Sequence, residues 1–276
     1  MRAIPYSTRR ENLYHPEIGA TVFKPGDKPS HSLLCAEASR LVYKKFEINN
    51  DSRQEVIDAL QSIGYMEVEF FSNRGSQALA AASLESPIIV AFRGTEPNLT
   101  DIGSDLKAWR TSWPSEASVH AGFASALNAI WGDIDAWLDK HPGRWLFTGH
   151  SLGAALSTLA ASLKHPAELI SFGSPRVGDS IFADMLEGVT VYRYVNCCDV
   201  VCRIPPDMLG FRHVAPMIYI DRAGEIQKGF NEHDRKMDQF EARTEYLIHE
   251  AWKVGTVESR DLADHIPLNY VSALFP

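Results

Sequence analysis

The sequence predicts an α/β protein with a mainly parallel central sheet flanked by helices. Three observations carry that expectation. Short apolar, β-like runs recur between longer segments of helical periodicity. One of these runs, Trp145-Leu146-Phe147, leads directly into a glycine-flanked turn and then a leucine-striped helix. The 276 residues, 45% hydrophobic and 22% charged, also suit a globular chain with a substantial core. No repeat, low-complexity tract or long linker divides the chain, so a single domain is expected.

The first 30 residues are polar and rich in Pro and Gly, and are expected to wrap the surface of a domain spanning residues 31–276. Across 31–46, Leu34, Ala38, Leu41 and Phe46 recur at roughly helical spacing, which predicts a helix; a second is expected at 53–62. The period then shortens. Segments 66–72, 77–84 and 87–94 read as strands, with Asn73-Arg74-Gly75-Ser76 turning between the first two. Residues 121–143 place Leu127, Ile130, Ile134 and Leu138 on one face of a predicted helix. Further strands are expected at 144–149, 169–175 and 189–196, with 217–221 closing the sheet.

The bulk properties narrow the function classes. A formal charge of -8 argues against a nucleic-acid partner, which needs a basic face. No run approaches the roughly 18 apolar residues of a transmembrane helix. The opening MRAIPYSTRRENLYHPEIG has basic residues without the apolar core of a secretory signal. A soluble, cytoplasmic protein is therefore expected, or a secreted one if a signal has been removed. Three of the four cysteines, Cys197, Cys198 and Cys202, cluster without a C-x-x-C pair, and Cys35 stands apart. They read as buried free thiols, with a disulfide at Cys202 left open; no metal site and no cofactor is expected.

The chemical signal is Gly149-His150-Ser151-Leu152-Gly153. A G-x-S-x-G arises by chance in about one chain in ten of this length, so context decides its meaning. The apolar run before it is a strand. Leu152, Leu156, Leu159 and Leu163 after it mark the buried stripe of a helix. Strand, tight turn and helix make a nucleophile elbow, with Ser151 projecting from a turn too tight for neighbouring side chains. The backbone N–H of Leu152, immediately after the serine, is then the expected first oxyanion donor.

In the α/β-hydrolase order the acid and then the histidine follow the serine. His165 lies in an Ala/Pro segment and His249 in a helical run, where packing or surface roles are usual. His213 leads into a strand, where a structural hydrogen bond is the ordinary explanation. His265, in the late polar loop DLADHIPLNYV, is the preferred base. For the acid, Asp199 follows a β-like run and precedes a Pro-Pro break; Asp179 competes with it, and Asp207 is weaker.

These segments together resemble the class 3, fungal-type lipase family of the α/β-hydrolase fold. The resemblance rests on AFRGTE at 91–96, VHAGF at 119–123, TGHSLGAALSTL, SFGSPRVGD, the N-x-x-D-x-V segment at 196–201 with its Pro-Pro, and DHIPLNYV, in the family's order. It implies a Ser151–Asp199–His265 triad and favours Asp199 over Asp179, whose motif has a structural role. It also implies Thr95 as the second oxyanion donor, through its N–H and hydroxyl, and a short lid at 96–109. There Leu99, Ile102 and Leu106 share one helical face, suited to transient contact with a lipid interface, although an ordinary amphipathic surface helix would look the same. So small a stripe does not predict strong interfacial activation.

The function implied is hydrolysis of carboxylic esters of lipids, as by a triacylglycerol lipase or carboxylesterase, through an acyl-enzyme. Phospholipase A1 and short-chain esterase activities are the alternatives. A non-catalytic, lipase-like scaffold is disfavoured because all five candidate residues are present.

Overall fold

A computed structural model describes residues 4–94 and 109–275. The chain opens with a short helix, α1 (Arg10–Tyr14), followed by α2 (His31–Leu41) and α3 (Asn50–Gln61). Strands β1 (Glu67–Asn73), β2 (Ser76–Ala82) and β3 (Ile88–Phe92) form an antiparallel meander. The β1–β2 turn needs left-handed backbone at both central residues, and Arg74 and Gly75 supply it with φ of 48° and 81°.

After the small β4 (Arg110–Ser112) and β5 (Ser118–His120) ribbon come α4 (Ala121–Asn128) and α5 (Trp131–Lys140). Then β6 (Trp145–His150), α6 (Leu152–Lys164), β7 (Glu168–Phe172), α7 (Ser180–Asp184) and β8 (Thr190–Asn196) alternate. The remainder is β9 (Met217–Ile220), β10 (Ile226–Gln227), α8 (Glu232–His249), α9 (Arg260–Ala263) and α10 (Pro267–Leu274).

Eight strands among the described residues form one sheet in the order β1-β2-β3-β6-β7-β8-β9-β10. Its centre, β3 through β9, is parallel. Both faces of that centre are covered, so successive residues of a strand enter different cores. Leu79, Ile89, Leu146 and Ile170 pack with Leu34, Leu41, Leu60 and Val271 on one side. Val90, Phe92, Phe147 and Leu169 meet Phe123, Leu127, Leu138, Leu156 and Leu159 on the other. This two-sided parallel sheet is the α/β architecture expected, and it aligns the carboxyl ends of β3, β6, β7 and β8.

Four local expectations change. The helix predicted across 31–46 stops at Leu41 because Arg93, at the end of β3, takes the carbonyls beyond it: Nε donates to Val42 at 2.6 Å and Nη2 to Lys44 at 2.6 Å. The helix predicted at 53–62 starts earlier, since Asn49 caps it by accepting from the N–H groups of Asp51 and Ser52. The single helix predicted at 121–143 is two helices, and the freed carbonyl of Ala129 accepts from Asn73 of the hairpin turn at 2.9 Å. The segment at 217–221 does not close the sheet: β10 pairs antiparallel outside β9.

The N-terminal residues are bound to the far end of the sequence. Ser7 and Asn269 exchange two hydrogen bonds of 2.7 and 2.8 Å. The Tyr6 hydroxyl donates to Asp264, the N–H of Val257 donates to the carbonyl of Thr8, and Ser272 Oγ donates to the Ile4 carbonyl. Leu13 is buried with Tyr246, Val257, Ala263 and Ile266. This segment therefore helps build the loop that carries His265.

Candidate active site

Between β6 and α6 the chain reverses at Ser151, which has φ of 59° and ψ of -127°. A positive φ is costly for a serine and must be held by its surroundings. The surroundings are flanking glycines and backbone. A Cβ on Gly149 would lie 2.2 Å from the carbonyl carbon and oxygen of Gly153, and one on Gly153 would lie 2.0 Å from the carbonyl oxygen of Phe92. The N–H of Ser151 donates to the Phe172 carbonyl at 3.0 Å, tying the turn to β7. The G-x-S-x-G spacing is thus a packing requirement of helix α6 against β3 and β6.

The structure brings Ser151, His265 and Asp199 into one line. Ser151 Oγ lies 2.9 Å from His265 Nε2, and His265 Nδ1 lies 2.9 and 3.0 Å from the two Asp199 oxygens. With Nδ1 donating to the carboxylate, Nε2 is left to accept the serine proton. All three residues are buried, at 4%, 2% and 1% exposure. Asp199 sits just beyond β8 and accepts from two further donors: its own loop gives the Val201 N–H at 2.9 Å, and α10 gives the Tyr270 hydroxyl at 2.6 Å. Burial opposes its ionisation, but the charge and hydrogen bond of His265 and the Tyr270 hydrogen bond outweigh it. The carboxyl is held below its ordinary value.

Gly173, at the end of β7, has φ of 58°. A Cβ there would lie 2.8 Å from Asp199 Oδ2 and 3.1 Å from the His265 ring, so the acid–base pair requires glycine at this position. His265 itself lies between α9 and α10, in a loop held from both sides. Asp264 accepts from Arg260 Nε at 2.8 and 3.0 Å, from Tyr6 and from the N–H of Cys198; its own carbonyl accepts from Asn196 Nδ2 at 3.0 Å.

The other candidates fall elsewhere. Asp179 caps α7 by accepting from the Phe182 N–H, and Asp207 lies in a single turn of 3-10 helix. His213 Nε2 donates to the Cys202 carbonyl at 2.9 Å. His165 ends α6 in left-handed backbone, and His249 closes α8. Leu152 is the first residue of α6, where a helix N–H has no carbonyl one turn earlier to satisfy it. Thr95 lies outside the described residues, as does the proposed lid at 96–109 except Trp109, which is exposed. Gly94, just before Thr95, abuts the site: a Cβ there would meet the Tyr43 hydroxyl at 2.1 Å and the His150 carbonyl at 2.8 Å.

All four cysteines are free and buried. Cys197, Cys198 and Asp264 bring their potential ligand atoms within 4.8 Å of one another. Asp264 is already engaged by Arg260 and Tyr6, and the Cys197 thiol is pushed up by its hydrogen bond with Cys198 and by burial. Both facts oppose presentation of thiolate and carboxylate to a cation. No described helix is long and apolar enough to cross a membrane.

Sequence reasoning missed Tyr270, Tyr6, Asn269 and Arg260. Tyr270 stands in the quoted DHIPLNYV motif but reads there as one more apolar position of a helix. The others act across more than 200 residues or from the turn before His265, and leave no local pattern.

Residues 89–209 match the family described as Lipase (class 3). A secreted mono- and diacylglycerol lipase 1 of Fusarium solani is 35% identical over 123 residues, covering 41% of this chain and 37% of that protein. A lipase of Rhizopus niveus is 32% identical over 148 residues, 47% of this chain and 37% of the relative. The chain thus spans little more than a third of these curated relatives. Among solved structures, a lipase from Rhizopus microsporus var. chinensis superposes with a TM-score of 0.59 at 20% identity, over 74% of this chain and 84% of that one. The Rhizomucor miehei triacylglyceride lipase gives 0.55 at 25% identity, over 68% and 77%.

Proposed function

We propose that this chain is a class 3 lipase relative of the α/β-hydrolase fold and that it hydrolyses carboxylic esters of lipids through an acyl-enzyme on Ser151, a reading supported by the family match over residues 89–209 and the superposition on fungal lipases. The observation that carries the reading is the continuous relay from Ser151 Oγ through His265 to Asp199, built on a strained turn. His265 Nε2 takes the serine proton as Oγ attacks the ester carbonyl. Asp199 keeps Nδ1 protonated and stabilises the imidazolium that forms. The N–H of Leu152, and Thr95 as the second donor, receive the oxyanion. His265 then protonates the departing alcohol, and water repeats the sequence on the acyl-serine. No step calls for a metal or cofactor.

The names of the relatives favour acylglycerols over phospholipids or short soluble esters, and favour secretion over the cytoplasmic location expected from the opening residues. The lid role of residues 96–109, and their contact with a lipid surface, belong to the same proposal, as does the division into a wrapping segment at 1–30 and a hydrolase domain at 31–276.

The test is turnover of p-nitrophenyl esters and acylglycerols in a chain-length series, with and without an emulsion. Ser151→Ala should abolish hydrolysis while keeping the wild-type circular dichroism spectrum. Hydrolysis retained at the wild-type rate overturns the assignment. Preference for soluble short chains, with no rise above the solubility limit, would make the protein an esterase instead.

A further inference from the structure

His150 directly precedes the nucleophile at the end of β6, and its side chain lines the same small cavity as Tyr43, Ser151 and His265. Its ring is buried at 3% exposure. Nδ1 lies 3.0 Å from the Tyr43 hydroxyl, whereas Nε2 has no hydrogen-bond partner among the described residues. The ring packs on that of His265, centroid to centroid 4.4 Å, with the planes tilted by 36°. The Tyr270 and Tyr43 rings flank it at 5.8 and 6.1 Å.

This contact supplies something the hydrogen bonds of His265 do not. Both bonds, to Ser151 and to Asp199, lie at the ring nitrogens. Rotation of the imidazole about Cβ–Cγ swings both nitrogens off the lines to Oγ and to the Asp199 carboxylate, and hydrogen bonds in the ring plane resist its first small excursions only weakly. A packed ring against the face of His265 opposes that rotation.

We propose that His150 is a positioning residue for the base: tethered by Tyr43, its ring fixes the plane of His265 and offers an aromatic face to the imidazolium formed during acyl transfer. The inference rests on the hydrolytic reading of Ser151 and His265. Tyr43, Tyr270, Ser151, His265 and Asp199 are the titratable or reactive groups around His150. Burial first, then His265, hold it well below the ordinary histidine range, against a smaller opposing pull from Asp199 and the His265 backbone. His150 therefore stays neutral while its neighbour becomes charged, which turns a like-charge pair into a cation beside a π face.

Two substitutions separate the face from the tether. His150→Asn keeps an amide where Nδ1 meets Tyr43 but removes the ring. Tyr43→Phe keeps the ring and removes its tether. His150→Asn should lower kcat by about 3- to 30-fold, the span of a cation–π contact from exposed to desolvated. KM should stay within about twofold, and the acid limb of the rate profile should move to lower pH as the imidazolium loses its partner. Tyr43→Phe should change kcat and the acid limb in the same direction by a smaller factor, and carries the test if the Asn variant does not fold.

The His265 ring is also followed by NMR titration of its Cε1 proton, a readout independent of turnover. Its midpoint should fall in His150→Asn. Wild-type kcat with an unmoved pH profile overturns the proposal, and so does lost activity with an unmoved His265 titration, which would mark His150 as packing alone. If the wild-type protein hydrolyses no ester, the hydrolytic reading fails, and the NMR titration still decides whether His150 acts on His265.

Discussion

Replacing Gly153 with alanine adds one methyl group at the tightest contact in the site. The new Cβ would lie 2.0 Å from the carbonyl oxygen of Phe92, 2.8 Å from its carbonyl carbon and 2.9 Å from that of Arg93. All three are backbone atoms, so no side-chain rotation relieves the overlap. Strand β3 is hydrogen-bonded to β2 and β6 on both edges and cannot yield alone. Helix α6 must instead retreat by about 1 Å or more to recover ordinary contact. Ser151 is the cap residue directly before that helix, so its 2.9 Å approach to His265 opens beyond hydrogen-bonding range. Overpacking of this kind costs about 1–3 kcal/mol, or roughly 2–5 °C in Tm for a chain of this size. A misplacement of about 1 Å at a nucleophile costs about 100-fold in rate. The assay is ester hydrolysis alongside thermal unfolding followed by circular dichroism. Gly132→Ala is the control: its Cβ would enter open space on α5, so activity should hold and stability should stay level or rise by about 0.5–1 kcal/mol. Gly153→Ala with wild-type kcat and Tm would refute the packing account of the G-x-S-x-G spacing.

Two further outcomes follow from buried polar contacts. Tyr270→Phe removes the 2.6 Å bond to Asp199 and the acceptor of the Asn196 N–H, costing about 2–4 kcal/mol in urea unfolding and roughly tenfold in kcat; unchanged values would show that Asp199 needs no such support. Burial, reinforced by the charge of Arg193, depresses His213 to about 3, against about 6.5 in the unfolded chain. The unfolded state therefore takes up the proton first, so this group's contribution to stability is lost as pH falls below about 6.5, reaching about 2 kcal/mol by pH 5. His213→Asn should flatten the fall in unfolding free energy between pH 7 and 5 by that amount, and parallel curves for the two proteins would disprove it.

The sequence made local features legible and distant ones illegible. The elbow could be read because an apolar strand, a glycine-flanked serine and a leucine stripe are consecutive, and each follows from short-range sterics. Asp199 could be nominated from its place after a strand, but residue pattern alone left Asp179 and Asp207 in competition. The helix boundary at Leu41 was hidden because it is set by Arg93, about 50 residues later, and the break at Ala129 because its carbonyl finds Asn73. Tyr270 was hidden for another reason. A tyrosine on the buried face of a helix has the same periodic signature whether its hydroxyl meets solvent, a carbonyl or the acid of a triad. Thr95 was named by resemblance and lies outside the described residues.

The pairing of residues 4–8 with residues 257–272 also bears on when the site comes into being. The elbow and Asp199 arise from adjacent β and α elements, which a growing chain can assemble as they emerge from the ribosome. The loop carrying His265 is closed by contacts across more than 250 residues, whose loop-closure entropy must be met before they give anything back. A nascent chain would thus carry Ser151 and Asp199 without a base between them while residues 200–264 are made. His265 would take its place only when residues 4–8 meet residues 257–272.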